Sequence, residues 1–329
     1  MLINAALPIY FPTTFAKNIQ STMLTKRNFS KIILIILSVS LLFAACKSKV
    51  QKKDRSLEEM QSQQSGSYTP ILESADTVVL FKTIDTVNLH LNIFYPDSMQ
   101  SDTLLPCMIF FFPGGFIHGS PDMFEDQAKY FASKGLITVC ADYRVIARNK
   151  ITAIESLKDA NSAMRWLRQY GTGLQIDTNR IIASGGSAGG VLCILTALDN
   201  PIGDDASDDL SFSTKPNYMV LFNPVINLEE FEFRIRKFNG NAEALNPYQF
   251  LNIAMPPTII MHGTDDELAG YFYAKKWVES MQQLGSDAEL ITYEGQKHGF
   301  YQRNNANGFY YDATLNEAEN WLRKQGLIK

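Results

Sequence analysis

The 329-residue sequence predicts a doubly wound α/β fold, with a mostly parallel central sheet and helices on both faces. Three observations predict this fold. Five apolar runs are continuous rather than alternating, which is typical of strands that are buried on both faces of a parallel sheet. Segments with helical periodicity lie between most of these runs. Two earlier strand-like runs suit an antiparallel edge, because the second alternates apolar and polar residues.

The folded region is predicted to begin near Ser74, with edge strands at Thr77–Lys82 and Val87–Tyr95. In the second strand, apolar residues at positions 87, 89, 91 and 93 alternate with polar residues at positions 88, 90 and 92, which predicts an antiparallel, half-solvated pair at the sheet edge. The continuous strands follow at Cys107–Phe112, Leu136–Ala141, Arg180–Ser184, Tyr218–Phe222 and Thr258–Met261. The helices are predicted at Asp122–Lys134, Ile151–Tyr170, Ala188–Leu198 and Gly270–Leu284, before a last strand at Ala288–Tyr293 and a closing helix at Tyr311–Lys324.

Two stretches fit this alternation less well. Residues 203–213 contain Asp204, Asp205, Asp208 and Asp209, which we interpret as a solvated acidic loop. Calcium binding is the alternative, but the EF-hand spacing is absent. Residues 226–255 are aromatic and charged and lie between two sheet strands, so they are predicted to form a small cap over a site.

The composition is that of an ordinary globular chain, with 46% hydrophobic and 19% charged residues. A net charge of −4, without a basic patch beyond the N-terminal tail, gives no reason to expect a nucleic-acid partner. Cys107, Cys140 and Cys193 fall in apolar segments and are interpreted as buried free thiols. None of them has a metal-ligand spacing.

The first 50 residues predict export. Lys26, Arg27 and Lys31 precede an apolar run, Ile32–Ala45, that is too short to span a bilayer comfortably. Two small residues before Cys46 resemble a bacterial lipoprotein signal, which implies a lipidated Cys46 and an exported protein anchored to a bacterial membrane. The alternatives are a secreted protein and an uncleaved signal anchor. The predicted divisions are 1–22 as a start-site artefact, 23–45 as the signal peptide, 46–73 as a flexible tether and 74–329 as the folded domain.

The segment Gly185–Gly190 predicts the nucleophile elbow of a serine hydrolase. It reads Gly-Gly-Ser-Ala-Gly-Gly and contains G-x-S-x-G between a predicted strand and a predicted helix, which is the context this motif requires. The turn is so sharp that the neighbours of Ser187 must be small, and Gly185 and Gly189 meet that demand. Ser187 is therefore the predicted nucleophile.

A serine hydroxyl needs a general base, usually a histidine that is held by a carboxylate. Four histidines make elimination feasible. His90 lies in an early edge strand, His262 ends a strand, and His118 precedes the serine in a loop where it could touch substrate. His298 follows the final strand in a polar loop and is the predicted base.

The carboxylate is expected in the loop after the Thr258–Met261 strand, where Asp265 and Asp266 are both candidates. We prefer Asp266, and assign Asp265 a turn or capping role. The order Ser187, Asp266, His298 is that of the α/β-hydrolase fold.

Acyl transfer also needs N–H donors for the developing oxyanion. The backbone N–H of Ala188 is one candidate. Gly114 and Gly115, which follow an apolar strand and let the backbone approach closely, are expected to supply the others, although a glycine pair can also be a plain tight turn.

From about residue 76 to 326 the sequence resembles the α/β-hydrolase esterases of the hormone-sensitive-lipase and feruloyl-esterase-like group. The resemblance depends on the glycine loop, on Asp142-Tyr143-Arg144, on Ile176-Asp177 and Arg180-Ile181 before the elbow, and on the segments around Asp266 and His298. It implies that Ser187, Asp266 and His298 form the triad and that Gly114, Gly115 and Ala188 line the oxyanion hole. The family loop usually reads His-Gly-Gly-Gly, and here Phe112 and Pro113 stand at the His and the first Gly. Proline cannot donate an N–H there, so we expect activity to survive with altered loop rigidity.

The expected reaction is two-step hydrolysis of a short-acyl or carbohydrate-linked ester, on a small-molecule or polysaccharide substrate, without a metal or organic cofactor. A serine peptidase of the prolyl-oligopeptidase type shares the elbow but normally carries a propeller domain. A non-catalytic hydrolase-fold binding lipoprotein, or a structural lipoprotein tethered to the membrane, leaves the complete set of triad residues unexplained.

Overall fold

The computed structural model describes residues 68–97, 99, 103–198, 200–228 and 243–329. The predicted start-site artefact, the signal, Cys46, most of the tether and the centre of the predicted cap lie outside these residues and stay predictions. No helix among the described residues is long and apolar enough to cross a membrane.

The described residues form one eight-stranded sheet with the order β1-β2-β4-β3-β5-β6-β7-β8. The pairs β1–β2 and β2–β4 are antiparallel, and all other neighbours are parallel, which confirms the predicted fold class. The strands are β1 Thr77–Ile84, β2 Val87–Phe94, β3 Leu105–Phe111, β4 Ile137–Ala141, β5 Ile176–Gly186, β6 Tyr218–Phe222, β7 Thr258–Gly263 and β8 Ala288–Tyr293.

Helices flank the sheet and bury its apolar strands. They are α1 Glu125–Ser133, the single turn α2 Ile146–Asn149, α3 Ala153–Tyr170, α4 Ala188–Ala197, α5 Tyr271–Gln283 and α6 Phe309–Lys324. Helix α3 begins two residues later than predicted, because Thr152 caps it. The Thr152 side chain accepts a hydrogen bond from the N–H of Ile154, and Glu155 accepts one from the N–H of Thr152. The three predicted buried thiols are all buried and free.

The folded domain begins earlier than predicted, because residues 68–72 pack against the edge of the sheet. Leu72 is buried, and its N–H donates to Asn92 Oδ1, while Asn92 Nδ2 donates to the carbonyl of Pro70. Tyr68 donates its hydroxyl to Asp142. The polar composition upstream hid this apolar end of the stretch, so the predicted boundary at residue 73 is wrong.

The acidic loop is partly exposed to solvent, as predicted, but ion pairs also tie it to the fold. Lys82 Nζ lies 3.0 Å from Asp159 Oδ1 on α3 and 2.9 Å from Asp205 Oδ2 in the loop. Arg165 also contacts Asp208 at 3.2 Å. These cations pair with Asp205 and Asp208, whereas the exposed Asp209 accepts hydrogen bonds from Ser211. No group of His, Cys, Asp and Glu in the described part of the chain could hold a metal ion.

Candidate active site

Ser187 stands at the turn between β5 and α4, at the carboxyl edge of the parallel sheet. Its φ of 51° and ψ of −117° lie outside the ordinary regions for a residue with a side chain, a conformation that costs on the order of 1–3 kcal/mol. The surrounding backbone holds it: the N–H of Ser187 donates to the carbonyl of Phe222, and the N–H of Val191 donates to the carbonyl of Ser187. The strain presents the hydroxyl above the N-terminus of α4.

The glycines of the elbow are required by close backbone contacts. A Cβ atom at Gly189 would lie 1.9 Å from the carbonyl oxygen of Phe111, and one at Gly185 would lie 2.6 Å from the carbonyl carbon of Gly189. Gly186 has a different reason, because its Cβ would lie 2.1 Å from Oη of the buried Tyr301. The motif requires small residues at the first two of these positions, whereas only the tertiary contact explains the third.

The structure brings Ser187, Asp266 and His298 into hydrogen-bond contact. His298 Nε2 lies 2.9 Å from Ser187 Oγ, and His298 Nδ1 lies 2.8 Å from Asp266 Oδ2. The three side chains follow β5, β7 and β8, so the parallel strands deliver them to one edge of the sheet. This arrangement can transfer a proton from the serine hydroxyl to the imidazole while a carboxylate orients the ring.

Asp266 is suited to remain ionised. Burial opposes its charge, but the hydrogen bond from His298 and the backbone N–H of Ala269 outweigh that effect and hold the pKa of its carboxyl below the usual value. Its second oxygen, Oδ1, accepts hydrogen bonds from the N–H groups of Leu268 and Ala269 at 2.9 and 2.8 Å. The carboxylate is therefore fixed in orientation as well as charged.

The alternative candidates are not part of this hydrogen-bond chain. Asp265 is exposed and accepts a hydrogen bond from Thr264 Oγ1. His262 is buried in β7 with Nδ1 3.1 Å from the carbonyl of Gly263, and burial lowers its pKa. His118 lies in the glycine loop but is not among the residues that line the cleft beside Ser187.

A small cleft of about 190 Å³, partly open to solvent, adjoins the serine hydroxyl. It is lined mainly by apolar groups from the glycine loop, the elbow and the segment after β6: Gly115, Phe116, Ser187, Ala188, Val191, Val225 and Leu228. Of the three predicted oxyanion donors, Gly115 and Ala188 therefore border the cleft. Gly114 is not among the lining residues, and its carbonyl accepts from the N–H groups of Ile117 and His118. The assignment of its N–H to the oxyanion hole stays a prediction.

The glycine loop adopts conformations that require its sequence. Gly114, Gly115 and Phe116 have φ values of 132°, 63° and 62°. A Cβ at Gly114 would lie 2.2 Å from the carbonyl oxygen of His118. Phe112, at the position of the family histidine, is buried and stacks on Tyr143 with ring centroids 3.8 Å apart. Phe112, which stands where the family has histidine, is thus a core aromatic residue beside the glycine loop.

Sequence reasoning missed the residues that brace this loop from the segment after β4. Arg148 donates to the carbonyl of Gly119 at 3.1 Å and to the carbonyl of Tyr143 at 2.7 Å, and it pairs with Asp142 Oδ1 at 3.2 Å. The guanidinium carbon lies 3.6 Å from the ring centroid of Tyr68. The segment Asp142-Tyr143-Arg144 contributed to the family resemblance, but no motif in the sequence indicated a role for Arg148 or Tyr68.

A mostly parallel sheet, a strained serine between strand and helix, and a histidine and aspartate from the next strand ends define an α/β-hydrolase. The chain belongs to the BD-FAE family, whose model matches residues 91–280. Membership in this family confirms the resemblance to α/β-hydrolase esterases.

Solved structures of Thermogutta terrifontis esterase 2 are similar to this chain. The propionate-bound form is 34% identical, with a TM-score of 0.72 over 77% of this chain and 95% of that chain. The butyrate-bound form has the same values.

Two curated relatives match over a shorter part of their length. A probable isoprenylcysteine alpha-carbonyl methylesterase of Arabidopsis thaliana is 26% identical over 59% of this chain. The esterase LipI of Mycobacterium tuberculosis is 29% identical over 32% of this chain. The matches span 45% and 32% of these two proteins, so the chain covers less than half of either.

Proposed function

We propose that the protein is a serine carboxylesterase that hydrolyses esters of short carboxylic acids, with Ser187, His298 and Asp266 as its triad. The observation that carries the proposal is the continuous hydrogen-bond chain from Ser187 Oγ through His298 to Asp266, beside a small apolar cleft. Family membership and the similarity to esterases support the same reaction class.

In the first half-reaction, His298 Nε2 takes the proton of Ser187 as Oγ attacks the ester carbonyl carbon. The attack forms a tetrahedral intermediate with a negative oxygen. Asp266 keeps the proton of His298 on Nδ1 and stabilises the imidazolium that results. His298 then returns the proton to the departing alcohol, and the acyl group remains on Ser187.

In the second half-reaction, water repeats the attack on the acyl-enzyme and releases the acid. The oxyanion of both intermediates requires N–H donors in fixed positions. Ala188 is the first residue of α4, so its N–H has no acceptor within the helix and adds to the positive end of the helix dipole. Gly115 borders the same cleft, and we assign the N–H groups of Ala188 and Gly115 to the oxyanion hole.

The lining of the cleft supports a short acyl group. The cleft is small, with about 190 Å³ of empty space including the part open to solvent. Val191, Val225 and Leu228 are buried and form its apolar wall. Propionate and butyrate, the ligands named for the Thermogutta esterase structures, are short acids of the class proposed here.

The experiment that tests the proposal is hydrolysis of p-nitrophenyl acetate, butyrate and octanoate by the full chain, with p-nitroacetanilide as the matched amide. We expect turnover of acetate and butyrate, a steep fall in kcat/KM at octanoate and no cleavage of the amide. Absence of hydrolysis of all three esters would overturn the proposed function.

Shortening Leu228 is expected to widen the acyl preference. Leu228→Ala removes a buried side chain from the wall of the cleft, so the ratio of kcat/KM for hexanoate to that for acetate should rise about tenfold or more. Leu192→Ala is the matched control, because Leu192 is equally buried on α4 but does not line the cleft. An equal change of the ratio in both variants would contradict the assignment of the wall.

Removing the Arg148 guanidinium is expected to lower kcat by about 10- to 100-fold with little change in KM, because misplacement of a loop that carries an oxyanion donor affects the transition state most. Arg148→Met keeps the length of the stem but loses the hydrogen bonds to Gly119 and Tyr143. The steady-state kinetics of this variant are compared with those of Arg180→Met, whose guanidinium pairs with Asp177 at the start of β5. Unchanged kcat in Arg148→Met would show that the loop keeps its shape without this brace.

A further inference from the structure

Asn223 lies at the carboxyl end of β6, between the strands that lead to the nucleophile and to the acid. The sheet order places β6 next to β5 and β7. The backbone of this segment is fixed on both sides, since the carbonyl of Phe222 accepts from the N–H of Ser187 and the N–H of Asn223 donates to the carbonyl of Met261. Asn223 has a φ of 34° and is fully buried. Its side chain therefore has a fixed starting point within the site.

The carboxamide of Asn223 faces the inner nitrogen of the imidazole. Nδ2 of Asn223 lies 3.4 Å from Nδ1 of His298, the same atom that lies 2.8 Å from Asp266 Oδ2. Oδ1 of Asn223 is buried without a hydrogen-bond partner among the described residues. The side chain thus contacts His298 on the side opposite to Ser187 and leaves one buried polar atom unsatisfied.

The position of the proton on the His298 ring decides which end of the Asn223 carboxamide faces Nδ1. Nε2 of His298 must be free to accept the proton of Ser187, so the neutral ring carries its proton on Nδ1. An Nδ1–H and an amide N–H cannot hydrogen-bond to one another, because both are donors. A half-turn of the carboxamide exchanges Nδ2 and Oδ1 with almost no change of shape. It places an acceptor beside the Nδ1–H and gives Oδ1 a hydrogen-bond partner.

We propose that Asn223 is a positioning residue whose Oδ1 shares the Nδ1 proton of His298 with Asp266, fixing both the tautomer and the orientation of the ring. This role rests on the proposed function. An amide contributes no net charge, so it orients the imidazole without competing with Asp266 for the imidazolium. The other titratable group close to this pair is His262, whose burial lowers its pKa and favours the neutral form.

Two variants of Asn223 separate positioning from packing. Asn223→Leu keeps the approximate shape but offers no acceptor, and Asn223→Asp places an oxygen beside Nδ1 whichever way it turns and adds a charge. We expect Asn223→Leu to lose about tenfold or more in kcat/KM for p-nitrophenyl acetate. We expect Asn223→Asp to move the acidic limb of the pH profile of kcat/KM upward by about one unit, since a second carboxylate favours the protonated ring.

The matched control is Asn161→Leu, which replaces a buried asparagine on α3 whose side chain contacts Gly203 away from the site. Thermal unfolding of all variants measures the packing loss. The direct readout is the downfield proton resonance of His298 Nδ1, which requires no turnover. It is expected to move in both Asn223 variants and to stay in place in Asn161→Leu.

If the resonance and the acidic limb stay in place in both Asn223 variants, whatever their stability, the positioning role is overturned. If the wild-type chain fails to hydrolyse the ester but its Nδ1 resonance moves in the Asn223 variants, the proposed function fails and the contact with His298 stands. If Asn223→Leu does not fold, Asn223→Asp, which is nearly isosteric, carries the test alone.

Discussion

Ser187→Ala is expected to reduce kcat for p-nitrophenyl acetate by about 10⁴- to 10⁶-fold, because it removes the atom that forms the acyl-enzyme. The remaining groups of the site cannot replace it: His298 and Asp266 still hold their geometry but have no nucleophile to activate. Residual hydrolysis should reflect only the oxyanion donors and substrate binding. The measurement is steady-state hydrolysis at saturating ester, with enzyme concentration raised enough to detect the slow reaction.

The same substitution should leave the fold intact. Alanine retains the Cβ that the turn already accommodates, and the Ser187 backbone N–H keeps its bond to the carbonyl of Phe222. A thermal unfolding midpoint close to that of the wild type, together with loss of labelling by a fluorophosphonate probe, would separate chemistry from folding. Turnover like that of the wild type would rule out Ser187 as the nucleophile.

Asp159→Asn is expected to produce the largest loss of stability, about 3–5 kcal/mol in the free energy of unfolding. The Asp159 carboxylate is fully buried and contacts Lys82 at 3.0 Å and Arg144 at 2.7 Å. Neutralising it leaves the mostly buried Arg144 without its bidentate carboxylate partner. Chemical denaturation of wild type and variant measures the difference.

The control for this prediction is Lys129→Ala, which breaks the exposed pair with Glu125 on α1. An exposed pair contributes about 1 kcal/mol or less, because water screens it. A loss below about 1 kcal/mol in Asp159→Asn as well would mean that water or a rearranged side chain compensates the buried cations.

The same network gives stability a pH dependence through Asp205. Burial opposes its ionisation, but hydrogen bonds from Lys82 and Ser207 outweigh burial and hold the pKa of its carboxyl below the usual value. Because the folded pKa lies below the unfolded one, this contribution is fully present above about pH 4 and is lost as the pH falls toward the folded pKa. Asp205→Asn should lack that part of the acid sensitivity, as followed by denaturation from pH 6 to pH 3.

Much of the fold was predictable because its signals are local. Continuous apolar runs identified the buried strands, and each of them is found, although β5 begins at Ile176 rather than at Arg180. The additional residues of β5 include the polar Asp177 and Asn179, which are not fully buried. Because the prediction relied on apolar residues, it missed this first part of the strand. The period of an element depends on neighbouring residues alone, so it can be interpreted without knowing what the element packs against.

The predictions that missed contacts share a different cause, because these contacts join residues that are far apart in the chain. The end of the tether was predicted to be free, yet Leu72 is buried against the sheet through Asn92, twenty residues along the chain. The acidic loop was predicted to be solvated, and part of it is exposed, yet Asp205 pairs with Lys82 on β1. The neighbouring residues do not reveal either contact, because each depends on a partner far away in the sequence.

The sequence by itself determined the doubly wound fold and the elbow, because periodicity and the steric demand of a sharp turn act between near neighbours. It also reduced the candidates for the triad to a few residues, since only four histidines were available. The tertiary structure alone decided that Asp266 rather than Asp265 contacts His298, that Gly115 borders the cleft, that Asn223 lies beside His298 and that Arg148 contacts the glycine loop. These are contacts between strand ends and loops far apart in the chain, and their distances depend on the register of the whole sheet.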